Sequence, residues 1–397
     1  MSVHDGASAA ETTLKAALEL QPAIIAAREE IEGGRRLPMH LVDAMKRAGI
    51  FRMPMPRAWG GPELDPMSQL RVLEALAVAD ASVSWCAMIG CDGGYFTSFI
   101  DQGVAREMYS DLDAVTAAAA TPTGRALRVK GGYRLSGRWP FASGCQHSTW
   151  VVAGCIVHDD SGPKLRANGV PETRQCFLPT AEIEILDTWY TTGLRGSGSH
   201  DFTIQDHFVP EERTFSYQDL TFHRPYGLYR FPMNILLKFA GPALGVARAA
   251  IDALIGAGEK PARLSVIGGR AQPPRQLRDE EYMQTAVARA EAKLGSARSY
   301  LFEATGTLWE TLQAGTERSR RIGAQFLLAN TNCFSACAEA VQIAYKARGG
   351  SAVYANGVLD RCLRDVLTMN EHVGVSLKTY SMAGRLLLGL PPEDLFL

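Results

Sequence analysis

The residues of this chain able to do chemistry are few, and their types and spacing limit what they can do. Eight cysteines are scattered at 86, 91, 145, 155, 176, 333, 337 and 362, with no paired CxxC and no helical HxxxH, so a metal centre or a disulfide framework is not expected. Cys333 and Cys337 share a helix face within FLLANTNCFSACAEAVQIAY, where thiols behave as small core hydrophobes. Cys145 has no neighbouring base to make it a nucleophile. GLRGSG lacks the strand, the spacing and the acidic follow-up of a dinucleotide fingerprint, and there is no GxxxxGK[ST], so a resident nicotinamide is not expected. Three features remain. GGYRLSGRWPFASG carries Trp139, Phe141 and Ser143 at alternate positions, which places the two rings on one strand face, as a ligand wall or as plain core. Trp85, in DASVSWCAMIGCDGGYF, is an aromatic on an apolar helix, suited to core or to pocket. His372, in RDVLTMNEHVGVS, is an imidazole able to take a proton near pH 7, although a lone helical histidine is more often structural.

Those side chains need elements to hold them. At 397 residues the chain is long enough for two or three domains, because single cores stop growing near roughly 250–300 residues. Up to about residue 115 the pattern is helical: Leu41, Met45 and Ala48 form a stripe that Gly49 stops, and the Pro- and Gly-rich MPMPRAWGGPELDP separates two helical stretches. Residues 116–225 change to short runs punctuated by turns, with YRLSGRWPFAS, STWVVAGCIV, RQCFLPT, AEIEILDTWY and HDFTIQDHFVP read as strands. Residues 226–397 return to helices. Val287, Leu294, Leu301 and Leu308 recur every seven residues with Ala290, Ala297 and Ala304 between them, the seam of a close-packed bundle, and helices over 317–347 and 360–388 would complete four. The fold class is α+β, mainly α: an N-terminal helical domain, a small central β-barrel or sandwich, and a C-terminal four-helix bundle.

With 41 Lys+Arg against 42 Asp+Glu there is no global field to hold nucleic acid or an anionic membrane. The N-terminus has no basic start followed by an apolar run, and no stretch approaches the roughly 18 uninterrupted apolar residues of a membrane helix. A soluble, cytoplasmic protein is expected.

Three further segments, in this order, carry a resemblance: RMPMPRAWGG, GLRGSGSHDFTIQDHFVPEER and RGGSAVYANGVLDRCLRD. They resemble the acyl-CoA dehydrogenase superfamily: its Gly-Gly loop after the second helix, its Gly-Leu-Arg turn leading to Val-Pro, and its Gly-Gly stretch with a later Arg-Asp pair. In the dehydrogenases a glutamate at a fixed distance after Arg-Asp removes the α-proton of a thioester. Here that position, counted from Arg364 and Asp365, is Val373, which accepts no proton, and Glu371 two residues earlier would point about 200° away on a helix. GGYRLSGRWPFASG and the histidine at 372 resemble instead the flavin-dependent hydroxylase branch, which acts on phenols, indoles and related aromatics.

That resemblance implies the oxygenase component of a two-component monooxygenase. Reduced FAD (FADH2) or reduced FMN adds dioxygen, and the resulting hydroperoxide hydroxylates an aromatic substrate, provided water is excluded and the oxygens are held. It implies that Trp139, Phe141, Ser143 and Gly144 lie along the isoalloxazine, that Arg348, Gly349, Gly350 and Ser351 meet the adenosine diphosphate part, and that His372 is the base. Trp85, with Tyr95 and His200, would line the substrate pocket. The family's Arg-x-Phe element is not clear in PARLSVIGGRAQPPRQLRDEE, where Arg263, Arg270 or Arg275 could substitute. A separate NAD(P)H-dependent flavin reductase and a homotetramer are the implied partners. A dehydrogenase with resident FAD and a catalytically silent ligand-binding homologue are the alternatives.

Overall fold

The computed structural model describes residues 3–261 and 275–391. The chain opens with helices α1 (Val3–Ala26), α2 (Arg28–Gly34), α3 (Met39–Arg47), α4 (Pro66–Ala79), α5 (Ala81–Gly90), α6 (Gly93–Phe96) and α7 (Gln102–Met108). Local chemistry sets their ends. Gly49 closes the α3 stripe at φ +73°. Asp65 caps α4 through Ser68 N–H, and Asp80 caps α5 by accepting from Ser82 and Val83 N–H.

Eight strands follow: β1 (Thr116–Val129), β2 (Gly132–Ala142), β3 (Trp150–Asp159), β4 (Gly162–Pro163), β5 (Thr173–Pro179), β6 (Glu184–Leu186), β7 (His200–Pro210) and β8 (Thr214–Phe215). They form one sheet in the order β6-β7-β2-β1-β3-β5-β8, with β4 on β3. The first strand, TAAAATPTGRALRV, carries no β-branched or aromatic run to announce it. AEIEILDTWY keeps only three residues as strand.

Trp139 and Phe141 do not share a face, contrary to the alternation in the sequence. The β2–β7 register shifts between Trp139 and Ala142, and Phe141 sits at φ +66°, so the bulge turns its ring outward. Phe141 is 67% exposed while Trp139 is 0% exposed. Trp139 stacks on Phe202 with ring centroids 5.1 Å apart and donates its indole N–H to Gly154 O at 2.6 Å. It lies over Gly124 and Gly137, where an added Cβ on Gly124 would overlap the ring. Trp139 therefore belongs to the sheet core, not to a ligand wall. Gly124→Ala is expected to destabilise the protein by about 2–3 kcal/mol, the cost of overpacking less a small gain from stiffening the unfolded chain. Urea denaturation reads this directly, and a change under about 0.5 kcal/mol, the range of ordinary surface substitutions, would show that the indole can move aside.

The C-terminal helices are α8 (Gly241–Ala257), α9 (Glu281–Ala314), α10 (Arg320–Arg348), α11 (Val358–Asn370) and α12 (Leu377–Leu387). In α9, Leu294, Leu301 and Leu308 and the interleaved Ala290, Ala297 and Ala304 are buried, and Val287 is partly buried. The small residues let α9 and α10 approach closely. Asn234–Ala257 is apolar and long enough to cross a bilayer by composition, yet 67% of its most apolar 18-residue window is buried, with α8 against α4 and α10. The helix expected over 360–388 is broken: α11 stops at Asn370, a short turn covers Val373–Val375, and α12 starts at Leu377. His372 caps that turn, with Nδ1 accepting from Gly374 N–H at 3.0 Å.

Candidate active site

Two sequence segments dock on each other and thereby join the sheet to the bundle. Leu194 N–H donates to Asp365 Oδ1 at 2.6 Å, and Arg364 donates to Thr192 O at 2.6 Å. Gly193 lies so close to Arg364 O that a Cβ would overlap it, which is why glycine opens this turn. Asp365 is buried, and burial pushes its carboxyl up to about 7. The docked turn, Arg195–Ser197, also packs on α2 and α5.

At this junction the structure brings together Trp85 from α5, Ser143 from the end of β2 and His372 from the α11–α12 break. Trp85 Nε1–H donates to Ser143 Oγ at 3.1 Å. The Trp85 and His372 rings meet edge to face at 5.6 Å, and Phe239 packs on both, 5.7 Å from Trp85 and 4.8 Å from His372. Phe239, itself against Phe334 of α10, had no signal in the sequence beyond being apolar. Phe141 stands beside Trp189 at 6.3 Å, the second ring that sequence reasoning missed. Gly144, at φ +74°, turns the chain after Ser143 and donates its N–H to Ser197 O at 2.8 Å.

The tautomer of His372 follows from its contacts. Nδ1 accepts a backbone N–H, so the neutral ring carries its proton on Nε2, and Nε2 meets no hydrogen-bond partner among the described residues. Burial lowers its pKa to about 4. The ring is thus a neutral donor at Nε2 in this conformation. A base at Nε2 would need the proton on Nδ1, where it would oppose Gly374 N–H, so this conformation presents the ring as a donor.

Two residues expected at the substrate are committed elsewhere. Tyr95 is fully buried, donates to Gln69 Oε1 at 2.9 Å and has the Lys238 ammonium 4.8 Å above its ring. His200 is buried, and its Nδ1 accepts from Thr188 and Trp189 N–H at 3.1 and 3.2 Å, which shapes the loop before the Gly-Leu-Arg turn. Burial lowers its pKa as well. Arg348, Gly349, Gly350 and Ser351 end α10, with the two glycines and the serine exposed. Arg348 lies about 21 Å along the helix from Phe334, at 1.5 Å per residue, and the other three follow it in a short turn. Arg275 is exposed, and Arg263 and Arg270 lie outside the described residues. Glu371 is exposed and Val373 is 73% exposed, so neither offers a carboxylate to this cluster. Among the described residues there is no group of three or more metal-ligating side chains.

The donor set fits a flavin. A hydroxyl fixed by an indole N–H, a neutral imidazole with a free N–H edge, and an exposed phenyl ring held at φ +66° suit a flat, polar-edged ring system. A non-glycine residue at such a φ costs on the order of 1–3 kcal/mol and commonly marks a functional position.

Helical domain, sheet and helical bundle in this order, meeting at such a site, are the architecture of acyl-CoA dehydrogenase-like flavoproteins. The acyl-CoA dehydrogenase N-terminal domain matches residues 12–118 and its C-terminal domain residues 237–377. Indole-3-acetate monooxygenase of Pseudomonas putida is 31% identical over 91% of this chain and 90% of that protein. The flavin-dependent monooxygenase oxygenase subunit HsaA of Mycobacterium tuberculosis is 26% identical over 97% of each chain. The structure of XiaF from Streptomyces sp. with FADH2 and glycerol superposes with a TM-score of 0.87, at 21% identity over 98% of each chain. The chain belongs to the acyl-CoA dehydrogenase family and, within it, to the branch of flavin-dependent monooxygenase oxygenase components.

Proposed function

We propose that this protein hydroxylates a small aromatic substrate, a phenol, an indole or a polycyclic ring, using dioxygen and FADH2 or reduced FMN delivered by a separate NAD(P)H-dependent reductase. The observation that carries the proposal is the junction of Trp85, Ser143 and His372, with no carboxylate in their contacts among the described residues and with Val373 where a dehydrogenase needs its base. Reduced flavin supplies the electrons that activate dioxygen. The chain's own part is positional. Ser143 holds a hydrogen bond at the flavin edge, Phe141 covers the ring, and Trp85 and Phe239 wall off water and stack on the substrate. With a phenolic substrate, His372 Nε2–H would donate to the phenol oxygen and steady the negative charge that makes the ring a nucleophile. Gly144 shapes the turn behind Ser143, and Arg348 to Ser351 would meet the diphosphate of a dinucleotide.

Eight free, buried cysteines suit a reducing compartment, which supports a cytoplasmic location. Tyr354, Val353 and Leu388, exposed at 67%, 61% and 78%, support association of the bundles into a homotetramer.

Oxygen uptake tests the function. Uptake is expected only when the protein receives reduced flavin, and it should yield hydroxylated product with an accepted aromatic. A protein that purifies yellow and reduces an electron-acceptor dye with an acyl thioester would be a dehydrogenase instead. One that binds flavin but neither consumes oxygen nor reduces dye would be catalytically silent.

A further inference from the structure

The Ser143 hydroxyl is one end of a chain of three. Its Oγ lies 2.7 Å from Ser199 Oγ, which lies 2.7 Å from Ser197 Oγ. All three serines and Trp85 are buried, and Ser143 is the least buried of the four. The chain is built locally: Ser197 ends the Arg195–Ser197 turn, Gly198 follows at φ +51°, and Ser199 precedes β7, so two serines two residues apart bring their oxygens together. Gly196 sits so close to Ile31 that a Cβ would overlap it, which holds the turn down.

Proton counting gives this chain a direction. Three hydroxyls carry three protons, and the two oxygen–oxygen contacts use two of them. The third proton must leave the chain. An indole N–H only donates, so Trp85 fills one lone pair of Ser143 Oγ and fixes that oxygen as an acceptor on its inner side. Neither end of the chain meets a further acceptor among the described residues, but Ser197 is 1% exposed against 8% for Ser143, so the outlet lies at the Ser143 end. The remaining arrangement runs from Ser197 to Ser199 to Ser143. There Ser143 accepts from Trp85 and Ser199 and donates away from both, each donation polarising the next.

We propose that Ser199 and Ser197 are positioning residues that, with Trp85, aim the Ser143 proton at an acceptor atom of the flavin edge. The inference rests on the reading of Ser143 as the flavin's neighbour, and the two fail differently in one experiment. Oxidised isoalloxazine presents an acceptor nitrogen at its N5 edge, whereas the reduced ring carries a hydrogen there. A donor aimed at that edge therefore favours the oxidised form, and its loss changes the ratio of the two affinities.

The test is anaerobic titration of the wild type, Ser143→Ala, Ser199→Ala, Ser197→Ala and Ser199→Thr with oxidised and with dithionite-reduced FAD and FMN. Ser199→Ala is expected to weaken oxidised flavin about five- to tenfold relative to reduced, the worth of one neutral hydrogen bond. Ser197→Ala should act in the same direction more weakly, and Ser199→Thr, which keeps the hydroxyl, should restore the wild-type ratio. If Ser143→Ala shifts the ratio and Ser199→Ala does not, the relay is overturned and the Ser143 reading stands. If Ser143→Ala itself leaves the ratio unchanged, that reading falls and the relay with it. Equal weakening of both flavin forms by Ser199→Ala, without rescue by threonine, would assign the serines a purely structural part and also overturns the relay. Should Ser199→Ala fail to fold, Ser197→Ala carries the same comparison.

Discussion

Replacing His372 with alanine is expected to lower the product formed per reduced flavin by about tenfold or more, with a matching rise in hydrogen peroxide. A hydrogen bond to a charged oxygen is worth about 1.5–3 kcal/mol, and each 1.36 kcal/mol is a factor of about ten. His372→Gln separates the two ways the ring could act, because an amide keeps an N–H donor and cannot serve as a base. Since Nδ1 is occupied by Gly374 N–H, a donor at Nε2 is what the geometry allows, and glutamine is expected to recover much of the coupling. Glutamine as poor as alanine would return the residue to base catalysis.

The pH dependence follows from the same burial. With the folded pKa near 4, below the ordinary value of 6.5, His372 stays neutral from pH 6 to 8, and coupling should be flat there. An inflection near 6.5 that vanished in the variant would contradict this. For stability the sign runs the other way from a gained partner. As pH falls from 6.5 toward 4, the unfolded chain takes a proton that the folded ring refuses, so His372 makes the fold less stable across that window.

Lys238→Met is expected to cost about 3–5 kcal/mol of stability, because it leaves the buried Asp92 carboxylate without its partner. Lys238 Nζ donates to Asp92 Oδ1 at 2.5 Å, and both side chains are almost fully buried. Burial pushes Asp92 up to about 6 even with the ammonium beside it. Its folded pKa therefore lies above the unfolded value of 3.8, so the ionised carboxylate costs stability above pH 6 and that cost fades as pH falls toward 4. The loss in Lys238→Met should consequently be smaller at pH 5.5 than at pH 8 in urea denaturation. Replacing both partners, as in Asp92→Leu with Lys238→Met, should recover most of the stability. A loss under about 1 kcal/mol, typical of an exposed pair, would mean that the carboxylate finds other solvation. The consequence reaches the site, since Lys238 precedes Phe239, whose ring lies 4.8 Å from His372.

Much of this was legible in the residues. The α9 seam was carried by leucines and alanines at seven-residue spacing, and the turn-bounded runs gave β2, β3, β5 and β7, because side-chain period is a local property of each element. The resemblance to the dehydrogenases also showed Val373 where their carboxylate stands, which favoured oxygen transfer over thioester chemistry. β1 escaped notice because alanines carry no strand signature, and pairing with β2 and β3 overrides that weak propensity.

What the tertiary structure alone decided lies in contacts across long sequence separations. A one-residue bulge against β7 sends Trp139 inward and Phe141 outward, which alternation within β2 could not reveal. The break after Asn370 fixes the tautomer of His372 through Gly374, where a single helix over 360–388 was expected. Ser197 and Ser199 were visible as letters of a turn, but they gained a direction only when Ser143 and Trp85, from two other elements, came within hydrogen-bond reach. Hydrogen bonds act over about 3 Å, so the role of a polar side chain is set by whichever distant segment folding brings beside it.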